Sequence, residues 1–404
     1  MSSRRRRRAV LIGRLRLAVV LLVAVLALVL GVFVGSGDKS TNPSGLPAKL
    51  PTSVSVPARA GDVPGYHVPP LLDPHNVYAA DRADEESPAV RGDRPLIYVP
   101  NSESNTVDEI DPTTYKIVRQ FAVGALPQHV VPSYDLKTLW VANDEGNSLT
   151  PIDPRTGLPG RPVPVEDPYN MYFTPDGRYA IVIAERLSRI DFRDAHTMRL
   201  QHSLNVPQCF GVNHADFTAD GRYMFLSCEF GSKMVVVNVP RERLVAVVPL
   251  PSESSPQDVK LSRDGTIFYV ADLNYGGLWE FSASTFKRIG FIRTGAGAHG
   301  LYPSRNASEL YVSNRSASTI SVISFATRRV VATWKIPNGS PDMGGVSASG
   351  HVLWLSGRYN AEVYAINTDT GALIRRIPVG YGPHGLCVYP QPGRYSLGHT
   401  GIMR

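Results

Sequence analysis

The chain has 404 residues, 43% of them hydrophobic, and a formal net charge of +7. That length suits one large domain with extensions, and the hydrophobic content supplies cores of Val, Ile, Tyr and Trp. The charge is carried by Arg4 to Arg8, Arg14 and Arg16 at the N-terminus. The remainder is about neutral, so the high isoelectric point gives no ground for a nucleic-acid partner.

Residues 1–17 form a basic tail. Residues 18–37, AVVLLVAVLALVLGVFVGSG, carry no charge and are long enough to cross a bilayer as a helix. With the arginines before it, this segment reads as a single-pass signal anchor. The basic tail stays cytoplasmic and the rest of the chain lies outside the cell membrane; cleavage would make the chain secreted. Residues 38–93 are punctuated by Pro43, Pro47, Pro51, Pro57, Pro64, Pro69 and Pro70 and read as a linker. Its later part, from His75 to Arg91, offers Val77 and Tyr78 for burial.

From Tyr98 onward a unit of about 42 residues recurs seven times. It is visible in YVPNSESNTVDEID from Tyr98, LWVANDEGNSLTPID from Leu139, FYVADLNYGGLWEF from Phe268 and LYVSNRSASTISVI from Leu310. Each unit holds four short β-rich runs separated by polar or Asp-Gly turns, with no helical periodicity. The predicted fold is therefore all-β, a seven-bladed β-propeller of four-stranded blades over residues 94–404. The first blade lacks its first strand, whereas PHGLCVYP from Pro383 to Pro390 is a surplus one. That strand is expected to complete the first blade and close the ring. The tail after Pro390 is expected to cross the outside or one face of the disc.

YVAD at Tyr269, YVSN at Tyr311, IDPTT at Ile110 and INTDTG at Ile366 resemble the YVTN-type (YncE-like) propeller repeat family across nearly all of residues 94–404. The resemblance implies the propeller fold. For function it spans binding proteins, surface proteins, the haem d1 domain of nitrite reductases and several enzymes.

Cys209 and Cys228 lie on opposite arms of a hairpin turning at Asp220-Gly221. An exported location permits a disulfide between them, although spacing alone leaves the pairing open. Cys387 reads as a small apolar core residue. No CxxCH, nucleophile elbow, Walker loop, Rossmann fingerprint or HExxH is present, so no catalytic residue is assigned.

Aligning the first strands puts His129, Asn170, His214, Asp258, His299, Met343 and His384 in one slot facing the central channel. Four imidazoles, a carboxylate, an amide and a thioether suit a divalent transition metal or a small ligand. His129, His214, His299 and His384 are the expected metal ligands. Asn170, Asp258 and Met343 are the expected ligand contacts, with Asp216 behind His214. The competing structural reading has each His bonding the adjacent blade's backbone. The residues closing the second strands, Asn101, Asn143, Asp272 and Asn314, read as turn-capping. Glu185, Glu229 and Arg358 break that series. Trp140, Trp279, Trp334 and Trp354 read as blade-interface core.

The functional expectation is a membrane-anchored extracytoplasmic module that binds a small ligand or an envelope protein at a His-rich channel mouth. Two alternatives accompany it: a metal-assisted lyase or lactonase, and a haem d1-binding propeller.

Overall fold

A computed structural model describes residues 63–404. The basic tail, the apolar segment 18–37 and most of the Pro-rich stretch lie outside the described residues. Among the described residues no helix is long and apolar enough to cross a membrane. The helices among them are two 3₁₀ turns, Pro88–Val90 and Val239–Arg241.

The propeller has seven antiparallel sheets, one per repeat. Blade 1 is built from Leu96–Asn101, Thr106–Asp111 and Lys116–Ala122, completed on its inner side by Cys387–Tyr389. That closing strand pairs Leu96 with Tyr389 and Tyr98 with Cys387. The remaining inner strands are Pro127–Pro132, Asn170–Phe173, Val212–Phe217, Pro256–Leu261, Ala298–Pro303 and Pro341–Val346, for blades 2 to 7. In blade 2 the fourth strand is broken into Leu158–Pro159 and Val163–Pro164, both paired to Ser148–Asp153. Pro159, Pro162 and Pro164 there cannot donate to a ladder, so an unbroken edge strand is ruled out.

Apolar side chains fill the spaces between adjacent sheets. Between blades 3 and 4, Ile181, Ile183 and Phe192 meet Phe217, Met224 and Val235. Trp140, Trp279 and Trp354 are buried, whereas Trp334 is half-buried against Tyr311. Cys209 and Cys228 are joined in a disulfide with their Cα atoms 4.9 Å apart. A register shift between Val212 and Ala215 brings Val212 opposite Cys228, and Cys209 lies just beyond. Cys387 is a buried free thiol, and burial pushes its pKa upward.

Two segments outside the repeats lie against the inner strands. Before blade 1, Val77 and Tyr78 are buried, and the Tyr78 hydroxyl donates to the carbonyl of Leu261. After blade 7 the tail does not cross the outside of the disc. It enters the channel and runs along the inner strand of blade 3. Phe173 N–H donates to Leu397 O at 2.9 Å, and His399 N–H donates to Met171 O at 2.8 Å. Gly398 makes this approach possible: its φ is +100°, and a Cβ there would lie 2.4 Å from the Tyr172 Cα. Farther on, Arg404 Nη2 bonds Asp216 Oδ1 at 2.9 Å while its guanidinium lies over the Tyr78 ring.

Candidate functional site: the channel

The hydrogen-bond register defines which inner-strand residues are equivalent. Val130, Met171, Ala215, Val259, Leu301 and Gly344 each face the residue two before the end of their second strand. Leu386 takes the same place by continuation from the Tyr98–Cys387 pair. One residue earlier come His129, Asn170, His214, Asp258, Gly300, Met343 and Gly385. Two residues earlier come Gln128, Tyr169, Asn213, Gln257, His299, Asp342 and His384.

The slot read from sequence therefore merges two layers of the channel. His129, Asn170, His214, Asp258 and Met343 belong to the deeper layer, and His299 and His384 to the layer nearer the mouth. In blade 7 the residue equivalent to His299 is Asp342, not Met343. Met343 is buried, and its backbone N–H and C=O are both bonded by the Ser356 hydroxyl. The four imidazoles nevertheless converge across the two layers: His129 lies 5.4 Å from His214 and 4.9 Å from His384, and His299 lies 6.1 Å from His214 and 6.0 Å from His384, centroid to centroid.

In the deeper layer the tail supplies a residue that the repeat alignment does not contain. The His399 ring lies 5.3 Å from His129 and 5.0 Å from His214, centroid to centroid. One ligand atom from each of these three residues lies within 4.8 Å of the others. All three Nε2 atoms are buried without a hydrogen-bond partner among the described residues. The other ring nitrogens are held from behind. His129 Nδ1 donates to Tyr169 O at 2.9 Å. His214 and His399 Nδ1 accept from Asn170 Nδ2 at 3.2 and 2.9 Å. Space for the His129 ring comes from Gly385, where a Cβ would lie 2.1 Å from His129 Cδ2.

Burial and neighbouring imidazoles hold the pKa of His129 and His214 well below the usual value, and burial holds that of His399 below it. The rings are therefore neutral near pH 7, with the lone pair on Nε2 in His129 and on Nδ1, where Asn170 donates to it, in His214 and His399. Asp258 lies 3.6 Å from His399 Nε2. Burial pushes its carboxyl upward, but Lys260 and His399 outweigh this and keep it ionised. Its oxygens also accept from Val259 N and Leu301 N, each at 2.9 Å, so Asp258 ties blade 5 to blade 6 as well. Asp216 does not support His214. It accepts from Phe217 N and Leu261 N and pairs with Arg404.

A family model described as YncE-like beta-propeller matches residues 87–393. The chain belongs to that family. No curated protein is found to match it in sequence. Solved structures match in fold. The periplasmic gluconolactonase PpgL of Pseudomonas aeruginosa is 18% identical, with 74% of this chain and 99% of that one covered and a TM-score of 0.61. Hydrazine synthase of Kuenenia stuttgartiensis is 17% identical over 79% and 99% of the two chains, with a TM-score of 0.56. The dihydro-haem d1 dehydrogenase NirN is 14% identical over 76% and 77%, with a TM-score of 0.57. At these identities the likeness shows the fold alone.

In this YncE-like propeller the layer nearer the mouth holds a second group, His299, Asp342 and His384. His299 Nδ1 lies 3.1 Å from Asp342 Oδ1, and His384 Nε2 lies 3.7 Å from Asp342 Oδ2. Asp342 Oδ1 also accepts from Arg315 Nε at 2.9 Å. Burial, with Arg315 and Arg358 nearby, holds both histidines well below the usual imidazole pKa.

Above this layer stands the residue that follows each second strand: Ser102, Asp144, Glu185, Glu229, Leu273, Arg315 and Arg358. Glu185, Glu229 and Arg358 break the turn-capping series because they occupy this next position. The true capping residues bond within their own blade, as Asn101 Nδ2 does to Asp108 at 3.0 Å and Asn314 Nδ2 to Ser321 at 3.0 Å. A separate groove of about 600 Å³, lined by His75, Arg263, Phe325 and Arg328 among others, contains none of the channel histidines.

Proposed function

We propose that this protein is a membrane-anchored, extracytoplasmic ligand-binding module whose channel holds a divalent transition-metal ion on His129, His214 and His399. The observation that carries this reading is the convergence of three buried, unpartnered Nε2 atoms on neutral rings. A native interior rarely leaves such atoms unsatisfied, and three imidazoles suit zinc or a neighbouring first-row ion. The His129 Nδ1–H bond to a backbone carbonyl is the support that metal-bound imidazoles ordinarily have. Binding an ion through Nε2 of His214 and His399 would require each ring proton on Nδ1 and the Asn170 carboxamide turned so that its oxygen accepts from both, in place of its bond from Met171 N–H. The ionised Asp258 beside His399 offsets the charge of the cation. The anchor rests on the apolar segment 18–37 and the arginines before it.

The test is elemental analysis of the purified full chain after equilibration with zinc and dialysis. About one ion per chain is expected, falling to nil in His129→Ala, His214→Ala and His399→Ala while His351→Ala retains it. A buried water could satisfy the same three nitrogens, and wild-type protein without metal would identify that outcome and end the metal reading.

A second reading, a metal-assisted lyase or lactonase, is favoured by the His299–Asp342 contact beside the deeper layer. A carboxylate orienting an imidazole is the arrangement of a general base. Hydrolysis or elimination activity on cyclic esters that disappears on chelation, and again in His299→Ala, is the result that would favour it.

A further inference from the structure

Three of the residues that follow the second strands bond across to the inner-strand residue of the next blade. Ser102 Oγ donates to Gln128 Oε1 at 3.4 Å, Asn213 Nδ2 donates to Glu185 Oε1 at 3.2 Å, and Arg315 Nε donates to Asp342 Oδ1 at 2.9 Å. Where blade 7 meets blade 1, the same placement sets Arg358 near His384, and no hydrogen bond joins them among the described residues. Arg358 makes no hydrogen bond or ion pair among the described residues, and its Nη1 is buried without a partner. His384 is 3% exposed, and its Nδ1 is likewise unpartnered. Of the charges acting on the His384 ring, Arg358 is the strongest. A partly buried guanidinium with nothing to bind is costly, because its desolvation is uncompensated.

We propose that the Arg358–His384 station is the anchor of a small monocarboxylate ligand. The planar guanidinium matches a carboxylate, and the unpartnered imidazole nitrogen stands ready for a second bond. Blades 3 and 4, across the ring from blade 7, present Glu185 and Glu229, both bonded by Asn213. These carboxyl groups and their amide offer no cation to pair a second carboxylate, so a dianion is disfavoured. The inference deepens the reading of the channel as a ligand site but does not need the metal.

The test is calorimetric titration of the full chain with acetate, succinate and chloride at constant ionic strength, before and after chelation. Acetate is expected to bind, with succinate at least roughly tenfold weaker and chloride unable to displace it. Arg358→Gln should weaken acetate by roughly tenfold or more, the range for loss of one charge-assisted pair. Arg358→Lys, which keeps the charge but not the fork, should fall between the two and serves if the Gln variant does not fold. Metal content should be the same in all three proteins. Absence of acetate binding by the wild type, equal competition by chloride, equal succinate affinity, or unchanged binding by the variants would each overturn the proposal. Acetate binding by a protein without metal would overturn only the metal reading.

Discussion

Glu185 illustrates how the mouth couples to pH. Burial, Glu229, Asp144 and Asp167 push its carboxyl from 4.5 up to about 9, against the weaker pull of Arg186. Between those values the folded chain keeps a proton that the unfolded chain has lost. The contribution of Glu185 to stability is thus present at low pH and falls as pH rises through that window, by up to about 1 kcal/mol per pH unit. Glu185→Gln, which keeps an acceptor for Asn213, should stabilise the protein at pH 8 and change little at pH 5. Denaturant melts at the two pH values check this, and an equal effect at both would show that Glu185 is not buried in its protonated form. At this scale the sequence was legible in residue type but not in depth. Polar residues near a strand start align by chemical character, whereas the ladder counts from the second strand. Irregularities such as the shift between Ala298 and Leu301 lie between the two. That is why His299 and His384 were grouped with His129 and His214, and why Met343 stood where Asp342 belongs.

Among the elements, the tail departs most from the sequence reading. It has no repeat to align with, so His399 could not be placed by periodicity. The signals available were a histidine among closely spaced glycines, Gly393, Gly398 and Gly401, in a segment following the closing strand. In the fold this segment brings His399 into the deeper layer and Arg404 onto Asp216, both buried. Removing one partner of a buried pair leaves the other charge uncompensated. Arg404→Met should therefore cost about 3 kcal/mol, and it should loosen the tail enough to weaken metal retention. Chemical denaturation and metal content measured on the same sample check both, and an unchanged midpoint would show that the pair is not formed. Elsewhere the elements matched expectation, because four short β-rich runs per unit and their Asp-Gly turns are properties of local sequence. Next to the disulfide, the exposed Phe210 and Phe230 rings lie 5.6 Å apart, centroid to centroid, and tilted to one another.

For the whole molecule, the seven repeats and the displaced strand were enough to give the architecture, since only ring closure pairs Leu96 with Tyr389 and removes both sheet edges. The function was less legible, since the same disc carries unrelated chemistries in its structural relatives. What distinguishes this chain is the channel: a His and Asn layer plugged by its own tail, beneath a polar mouth where Arg358 has no partner among the described residues. The central claim is that the deeper layer holds a metal. Anomalous diffraction from crystals of the zinc-equilibrated protein, recorded on both sides of the zinc absorption edge, tests it most directly. The account predicts a single strong peak bounded by Nε2 of His129, His214 and His399, and it is contradicted if those atoms surround a water or the peak lies elsewhere.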